Sequence, residues 1–374
     1  MIVKDETPVI ARLLHSVRDV CDYFVIVDTG STDGTPALIE QLAQKLDFPG
    51  EVHFRDWVNF GHNRQQALEL AVAAGRGDWL LLIDADEELC CADPDWFRQL
   101  EPRVSYALEK RLGEIRYALV NLIDIRHSRW AWRAPVHEYL ECLHGGQPRQ
   151  RRADAWIICH PGEGARSRGI SQQEKFLKDA ELLETALRVD AYNPRNWFYL
   201  AQSYRDAGEP SKAYAAYARR VELGGWAEEV YVAQCEKAQL AIVLGHEHRD
   251  IVGEHLEAYH LRPSRAEALW QLAAYCREHQ RYAEGYLFAK VGHTIPLSDD
   301  ILFVRADVYD WRLLDELCIC AYWIGQYQEA AQAGRRLLRE SRFPPTERSR
   351  IEANLAFAED KISASPNHCG VTSI

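Results

Sequence analysis

Val25-Ile-Val-Asp-Thr-Gly-Ser-Thr-Asp-Gly-Thr35 is an apolar run that ends in an acid and passes into a turn of Gly, Ser, Thr and Asp. Pro36 to Lys45 continue with helical character. Thr35 then reads as the N-cap, with Pro36 at the first helical position. A second apolar run, Trp79-Leu-Leu-Leu-Ile-Asp-Ala-Asp-Glu-Glu88, stops at Asp84 and Asp86. In an extended chain, residues i and i+2 point the same way. Two carboxylates on one side repel unless a hard cation accompanies them. The pattern predicts an oxygen-ligated Mg²⁺ or Mn²⁺ that holds an anion such as a diphosphate. Met1-Ile-Val-Lys-Asp-Glu6 is a third apolar start, which makes residues 1–90 strand–helix–strand–helix–strand. A ligand at the carboxyl ends of parallel strands would meet the acids of both runs. Taken singly, each segment is also what a capped turn or an acidic loop looks like.

The three segments, together with Phe60 to Arg64, resemble a family 2 glycosyltransferase of the GT-A fold in order and spacing, over about the first 165 residues. The layout of a catalytic domain followed by helical repeats is similar to the bacteriocin S-glycosyltransferases. Fold and layout do not fix an acceptor, so a peptide cysteine is not carried over. In the family the first strand has residues before the Ile-Val-Lys-Asp-Glu stretch, so either this strand is short or the native start lies upstream of Met1.

Composition narrows the classes. The chain has 374 residues, room for two domains. Its net charge of −12 lacks the basic footprint of a general nucleic-acid binder. No apolar run of membrane-spanning length or signal peptide is evident, and a cytoplasmic location is expected. The ten cysteines lack metal-ligand spacing and read as reduced, mostly core-filling residues.

Further along, helices are expected at 8–20, 60–74 and 93–111, and strands at 51–57, 116–125, 127–143 and 155–160. From Ser171 the chain turns helical and repeats. Trp197, Leu200, Tyr204, Gly208, Ala213 and Tyr217 follow the tetratricopeptide pattern. Leu269, Leu272 and Cys276, then Leu317, Gly325, Tyr327 and Ala330, mark weaker copies, for which a plain helical bundle is the alternative. Four helix pairs with a period near 34 would stack as a solenoid. The fold class is thus α/β: a GT-A nucleotide-sugar-binding domain with a mixed, mainly parallel sheet and flanking helices at 1–168, then an all-α tetratricopeptide-like solenoid at 169–362. Residues 363–374 read as a disordered tail.

The resemblance implies an inverting transfer from a nucleotide sugar, with UDP the expected nucleotide. A divalent metal, Mn²⁺ or Mg²⁺, would stabilise the departing diphosphate. Asp86 is the first metal ligand, and Asp84 faces ribose or binds through the metal's waters. His160, in Ile157-Ile-Cys-His-Pro-Gly-Glu-Gly164, resembles a later metal ligand; a structural histidine is the plain alternative. Glu138 is the candidate base within Val136-His-Glu138. His137 is the runner-up or its orienting partner, and on a strand the two would face opposite sides. By resemblance Asp28 contacts the base, Ile2, Val3 and Glu6 line the same pocket, and Arg64 lies near the nucleotide. Asp33 braces its own turn. Arg126, Arg129, Arg133, Arg149, Arg151, Arg152, Arg166 and Arg168 form a local basic excess, and one of the last two would clamp the diphosphate if 161–170 closes as a lid.

The repeats would bind an acceptor glycan, peptide or protein, another partner, or a second copy. Their aromatics, Trp197, Trp226, Trp270, Trp311 and Trp323, are candidates for a concave binding face, with the core the expected place for most of them. Two alternatives stand beside the transferase. A sugar nucleotidyltransferase would show a Gly-rich phosphate loop near the first strand, and none is present. An inert relic serving as a scaffold would not need the intact acids.

Overall fold

Phe24–Asp28 (β2) is the central strand of a parallel three-stranded sheet, between β1 (Ile2–Val3) and β3 (Gly50–Phe54). Its Phe-Val-Ile-Val run favours a pleated, buried surface up to the acid. The computed structural model describes residues 1–364 apart from 94, 113–114, 137, 144–148, 161, 166–167 and 169–170. Helix α1 (Ile10–Val17) buries Ile10, Leu13, Leu14 and Val17, the face that its spacing predicts. Helix α2 (Thr35–Lys45) starts one residue before the expected position. Gly34, at φ 88°, holds the cap position, while the Thr35 hydroxyl donates to Asp33 Oδ1 at 2.6 Å and accepts from Glu6 N–H at 2.8 Å. Helix α3 (Phe60–Ala74) matches its expected range and is capped by Asn59, whose side chain accepts from His62 N–H at 2.9 Å.

A second, five-stranded sheet has the order β4-β7-β6-β10-β5. Its members are β4 (Trp79–Leu81), β5 (Glu87–Cys91), β6 (Ser105–Leu112), β7 (Ile115–Asp124) and β10 (Arg149–Cys159). β6 and β10 run parallel, and the other neighbours are antiparallel. A hairpin of β8 (Trp130–Arg133) and β9 (Tyr139–Cys142) occupies the expected strand at 127–143. One core joins both sheets to α1 and α2, with Val3, Leu13, Ile26, Ile39, Ile83, Leu108 and Ile157 among its members.

Two expectations are corrected. The run leading to Asp84 is no part of the parallel ladder: β4 ends at Leu81 and pairs antiparallel with β7. Residues 93–111 are not a helix. Trp96–Gln99 is a single 3₁₀ turn, and β6 begins at Ser105. Tyr106, Leu108 and Lys110 are all buried, a clear period of two. The strand signal is hidden because its third inward residue is a lysine.

The chain divides into Met1–Ala191 and Tyr192–Ile374. The first unit includes α4 (Gln172–Val189), opened by a Ser171–Glu174 capping box, although the expected boundary after 168 put this stretch with the repeats. Among its described residues the second unit has helices and no strand. It contains the pairs α5 (Pro194–Asp206) with α6 (Pro210–Glu222) and α7 (Ala227–Val243) with α8 (His248–Leu261). Then come α9 (Glu267–Glu278) with α10 (Tyr282–Gly292), α11 (Leu313–Trp323) with α12 (Tyr327–Glu340), and finally α13 (Arg348–Ala364). Each pair turns on one left-handed residue: Gly208, Gly245, Gln280 and Gly325. The last interval is longer because 293–312, with a π-helical turn at Val308–Arg312, intervenes. Trp311 is buried, whereas Trp226 and Trp323 are exposed. Ser363 and Ala364 belong to α13, and the rest of the expected tail lies outside the described residues.

Among the described residues no helix is long and apolar enough to cross a membrane. The nine described cysteines are free thiols, and Cys235, Cys276, Cys318 and Cys320 are buried as core fillers.

Candidate active site

Helix α3 delivers Arg64 because its first turn meets the 134–135 backbone directly. Gly61 N–H donates to Pro135 O at 3.4 Å, and a Cβ on Gly61 would lie 1.9 Å from Ala134 O. Only glycine permits that approach. One turn later, the Arg64 guanidinium meets two acids. It binds Asp84 through both oxygens, at 2.7 Å to Oδ1 and 2.9 Å to Oδ2, and its Nε lies 2.5 Å from Glu138 Oε1. Its plane also sits over the Trp132 ring, 5.3 Å from the centroid. The guanidinium holds the Asp84 carboxyl well below the usual range against the cost of burial. Glu138 lies in the link before β9, not on a strand. His137 lies outside the described residues.

Asp84 and Asp86 stand on a turn between β4 and β5, so the shared side expected of i and i+2 on a strand does not apply. Among the described residues Asp86 forms no ion pair, and the charges of Lys110 and Arg12 act on it only from a distance. Arg12 and the His160 N–H reach only its main-chain oxygen, both at 3.4 Å. Burial and the neighbouring Asp84 push its carboxyl up. Gly164 packs on it so closely that a Cβ there would lie 2.5 Å from Oδ2. His160 turns its Nε2 to Glu88 Oε2 at 3.1 Å. The expected three-ligand set of Asp84, Asp86 and His160 is therefore not assembled: Arg64 occupies Asp84, and Glu88 occupies His160. No group of three or more His, Cys, Asp or Glu among the described residues is placed to hold a metal. The open carboxylate of Asp86 suits a cation that takes one or two carboxylates and completes its sphere with phosphate oxygens and water.

At the end of β2, Asp28 Oδ1 accepts from Gly30 and Ser31 N–H at 2.9 Å each, while Oδ2 is buried without a partner among the described residues. Such an orphaned acceptor is costly unless a ligand donor meets it. Val3 is a core side chain, and its main-chain oxygen is taken by Thr29; Ile2 pairs with Val27 in the ladder. Glu6 accepts from Ala165 N–H at 3.1 Å and lies 3.6 Å from Arg168, and burial pushes its carboxyl up to about 7. Arg168 also donates to Asp5 O, and Arg12 binds Glu163 at 2.7 Å. The described part of the 161–170 segment thus leans on Glu6, Arg12 and Asp86. Asp33 braces its turn and also binds Thr7 N–H and Oγ1, at 3.0 and 2.7 Å. Among the other arginines, Arg126 binds Asp78, Arg133 binds Glu141 and Arg152 binds Asp154. Arg166 and the side chains of Arg149 and Arg151 lie outside the described residues.

Sequence reasoning missed Trp132, Gly164 and the buried Glu87–Lys110 pair. The aromatic-rich strand and the Gly-rich turn pointed toward the first two; Lys110 was concealed in the supposed helix. A cavity of about 430 Å³ lies next to Arg64 and Trp132, walled by Phe24, Trp79, Leu80, Trp96 and Leu122. Asp28, Asp84, Asp86 and Glu138 do not line it, so this apolar space is not where the acids converge.

Residues 1–106 match the family described as glycosyl transferase family 2. They form a family 2 glycosyltransferase domain. Tetratricopeptide-like repeats follow the glycosyltransferase domain. A TPR repeat-containing protein of Synechococcus elongatus is 34% identical over 183 residues, covering 44% of this chain and 41% of that protein. An uncharacterized glycosyltransferase of Rickettsia felis is 39% identical over 89 residues, covering 24% and 28%. The SPbeta prophage-derived glycosyltransferase SunS of Bacillus subtilis is 34% identical over 88 residues, covering 23% and 19%. The chain therefore spans less than half the length of each of these relatives. A solved structure of MamA protein superposes with a TM-score of 0.37 at 15% identity, over 48% of this chain and 88% of that one.

Proposed function

We propose that the protein is an inverting, divalent-metal-dependent glycosyltransferase that uses a nucleotide sugar, with UDP as the nucleotide. The observation that carries this reading is the unequal treatment of the two aspartates. Asp84 is neutralised by Arg64, while Asp86 is part-buried and forms no ion pair among the described residues. An anionic group held at that cost is relieved by a bound Mn²⁺ or Mg²⁺. Such an ion would be held by Asp86, with Asp84 beside it, and would neutralise charge developing on the leaving diphosphate. The buried Asp28 Oδ2 takes an N–H of the base. Glu138 receives the acceptor's proton, and Arg64 holds the carboxylate through Oε1. In this reading the repeats bind the acceptor or a partner protein, and the protein works in the cytoplasm.

The test is a thermal-shift panel of UDP- and GDP-sugars, each with and without Mn²⁺. A ligand that binds only the native state raises the midpoint by mass action. A Mn²⁺-dependent rise with the UDP compounds is expected. No rise with any donor would overturn the reading and favour an inert scaffold.

A further inference from the structure

One buried ion pair has no part in the chemistry above. Lys110, on β6, places its Nζ 2.5 Å from Glu87 Oε1, with the two side chains only 9% and 7% exposed. Between their strands runs β10: Cys159 pairs with Glu87, and Ile157 with Lys110. The lysine therefore reaches across a whole strand to find its partner. Cys159 Sγ also points at Glu87 Oε1, at 3.5 Å.

The other oxygen of Glu87 does something different. Oε2 accepts from the Asp84 main-chain N–H at 3.0 Å, while Glu87 N–H donates to Asp84 O at 3.1 Å. The turn carrying Asp84 and Asp86 is thus closed twice by one residue, once through its main chain and once through its carboxylate. A buried carboxylate keeps that position as an ion only if a cation answers it. Lys110 is that cation, and its charge also reaches Asp84 and Asp86.

We propose that Lys110 and Glu87 are positioning residues for the Asp84–Asp86 turn, with Lys110 fixing Glu87 and Glu87 fixing the Asp84 backbone so that Asp86 faces the metal–diphosphate. The proposal rests on the glycosyltransferase reading above. Outer-shell partners of this kind commonly control metal affinity about 10–100-fold.

The test is Mn²⁺ binding by the full chain, read from the EPR signal of free Mn²⁺, with and without UDP and with no sugar transfer required. The variants are Lys110→Met, Lys110→Arg and Glu87→Gln, with far-UV circular dichroism to confirm folding at the assay temperature. Arg220→Met is the control. It breaks an equally buried pair in the repeats, Arg220 Nε with Glu229 at 2.6 Å, and is expected to cost stability alone. Lys110→Met and Glu87→Gln are expected to weaken Mn²⁺ binding about tenfold or more, Lys110→Arg less, and Arg220→Met not at all. If Lys110→Met does not fold, the near-isosteric Glu87→Gln decides. Folded variants that bind Mn²⁺ like the wild type would overturn the positioning role and leave the transferase reading standing. A wild type that binds no Mn²⁺ under either condition would overturn the metal reading and this one with it.

Discussion

Arg64 grips Asp84 with two nitrogens, at 2.7 and 2.9 Å, and turns its third toward Glu138. One cation therefore serves an acid of the turn after β4 and an acid of the β8–β9 link. Arg64→Met leaves two half-buried carboxylates without their counter-charge. The melting midpoint of the catalytic unit should fall by about 5 °C or more. Arg64→Lys restores charge but not the fork, so part of that loss should remain. Calorimetry of the three proteins checks both statements.

Asp86→Asn should separate binding from stability. Burial and Asp84 both disfavour the ionised Asp86. Removing that charge is expected to leave the midpoint at pH 7 unchanged or slightly raised, while Mn²⁺-dependent donor binding is lost. An equal loss of both would place Asp86 in the fold rather than in the site.

Gly164→Ala tests the contact from the other side. The new methyl would stand 2.5 Å from Asp86 Oδ2, so one of the two must move. Donor binding should weaken by roughly tenfold, on the scale of a displaced outer-shell contact. The circular dichroism spectrum should not change.

Glu138→Gln keeps the contact with Arg64 but cannot accept a proton. Transfer should fall by about 10²–10⁴-fold. The Mn²⁺-dependent thermal shift with donor should persist, so the two assays on one variant isolate the base.

Acid should weaken the repeat unit through His255. This fully buried ring donates from Nδ1 to Ile251 O at 2.8 Å and meets Gln239 with Nε2 at 3.0 Å, an arrangement suited to the neutral form. Burial lowers its pKa from 6.5 to about 4. The unfolded chain takes the proton first, so stability is intact above pH 6.5 and is lost progressively as pH falls toward 4. Thermal unfolding from pH 7 to 4 should show that slope, and His255→Gln should flatten it.

Most of the catalytic unit's first half was legible because its strands and helices carry pure periods. α3 matches its expected range, and the apolar residues spaced as a helix at 9–17, Val9, Ile10, Leu13, Leu14 and Val17, are all buried. Legibility failed where charge entered the core. Glu109-Lys-Arg111 reads as a helix surface, yet Lys110 faces inward because Glu87 answers it across β10. β5 was missed for a related reason: Glu87 and Glu88 look like loop residues until Lys110 and His160 are seen beside them. The acids themselves were found from sequence, but their assignments were not. Nothing local to Asp84 says that Arg64 occupies it, and nothing local to His160 says that it turns to Glu88. The repeats were legible through their turns, since Gly208 and Gly325 need a left-handed backbone that few residues adopt.

The double closure of the Asp84–Asp86 turn binds two distant positions into one heritable unit. Glu87 travels with the acidic segment, while Lys110 arrives 23 residues later on another strand. A descendant that loses either charge alone keeps an unanswered ion in its core, whereas one that exchanges both for apolar residues of like volume can keep its fold. Substitutions at 87 and 110 should therefore occur together, and an acidic segment grafted into a scaffold without a lysine on the corresponding strand would arrive without its counterweight.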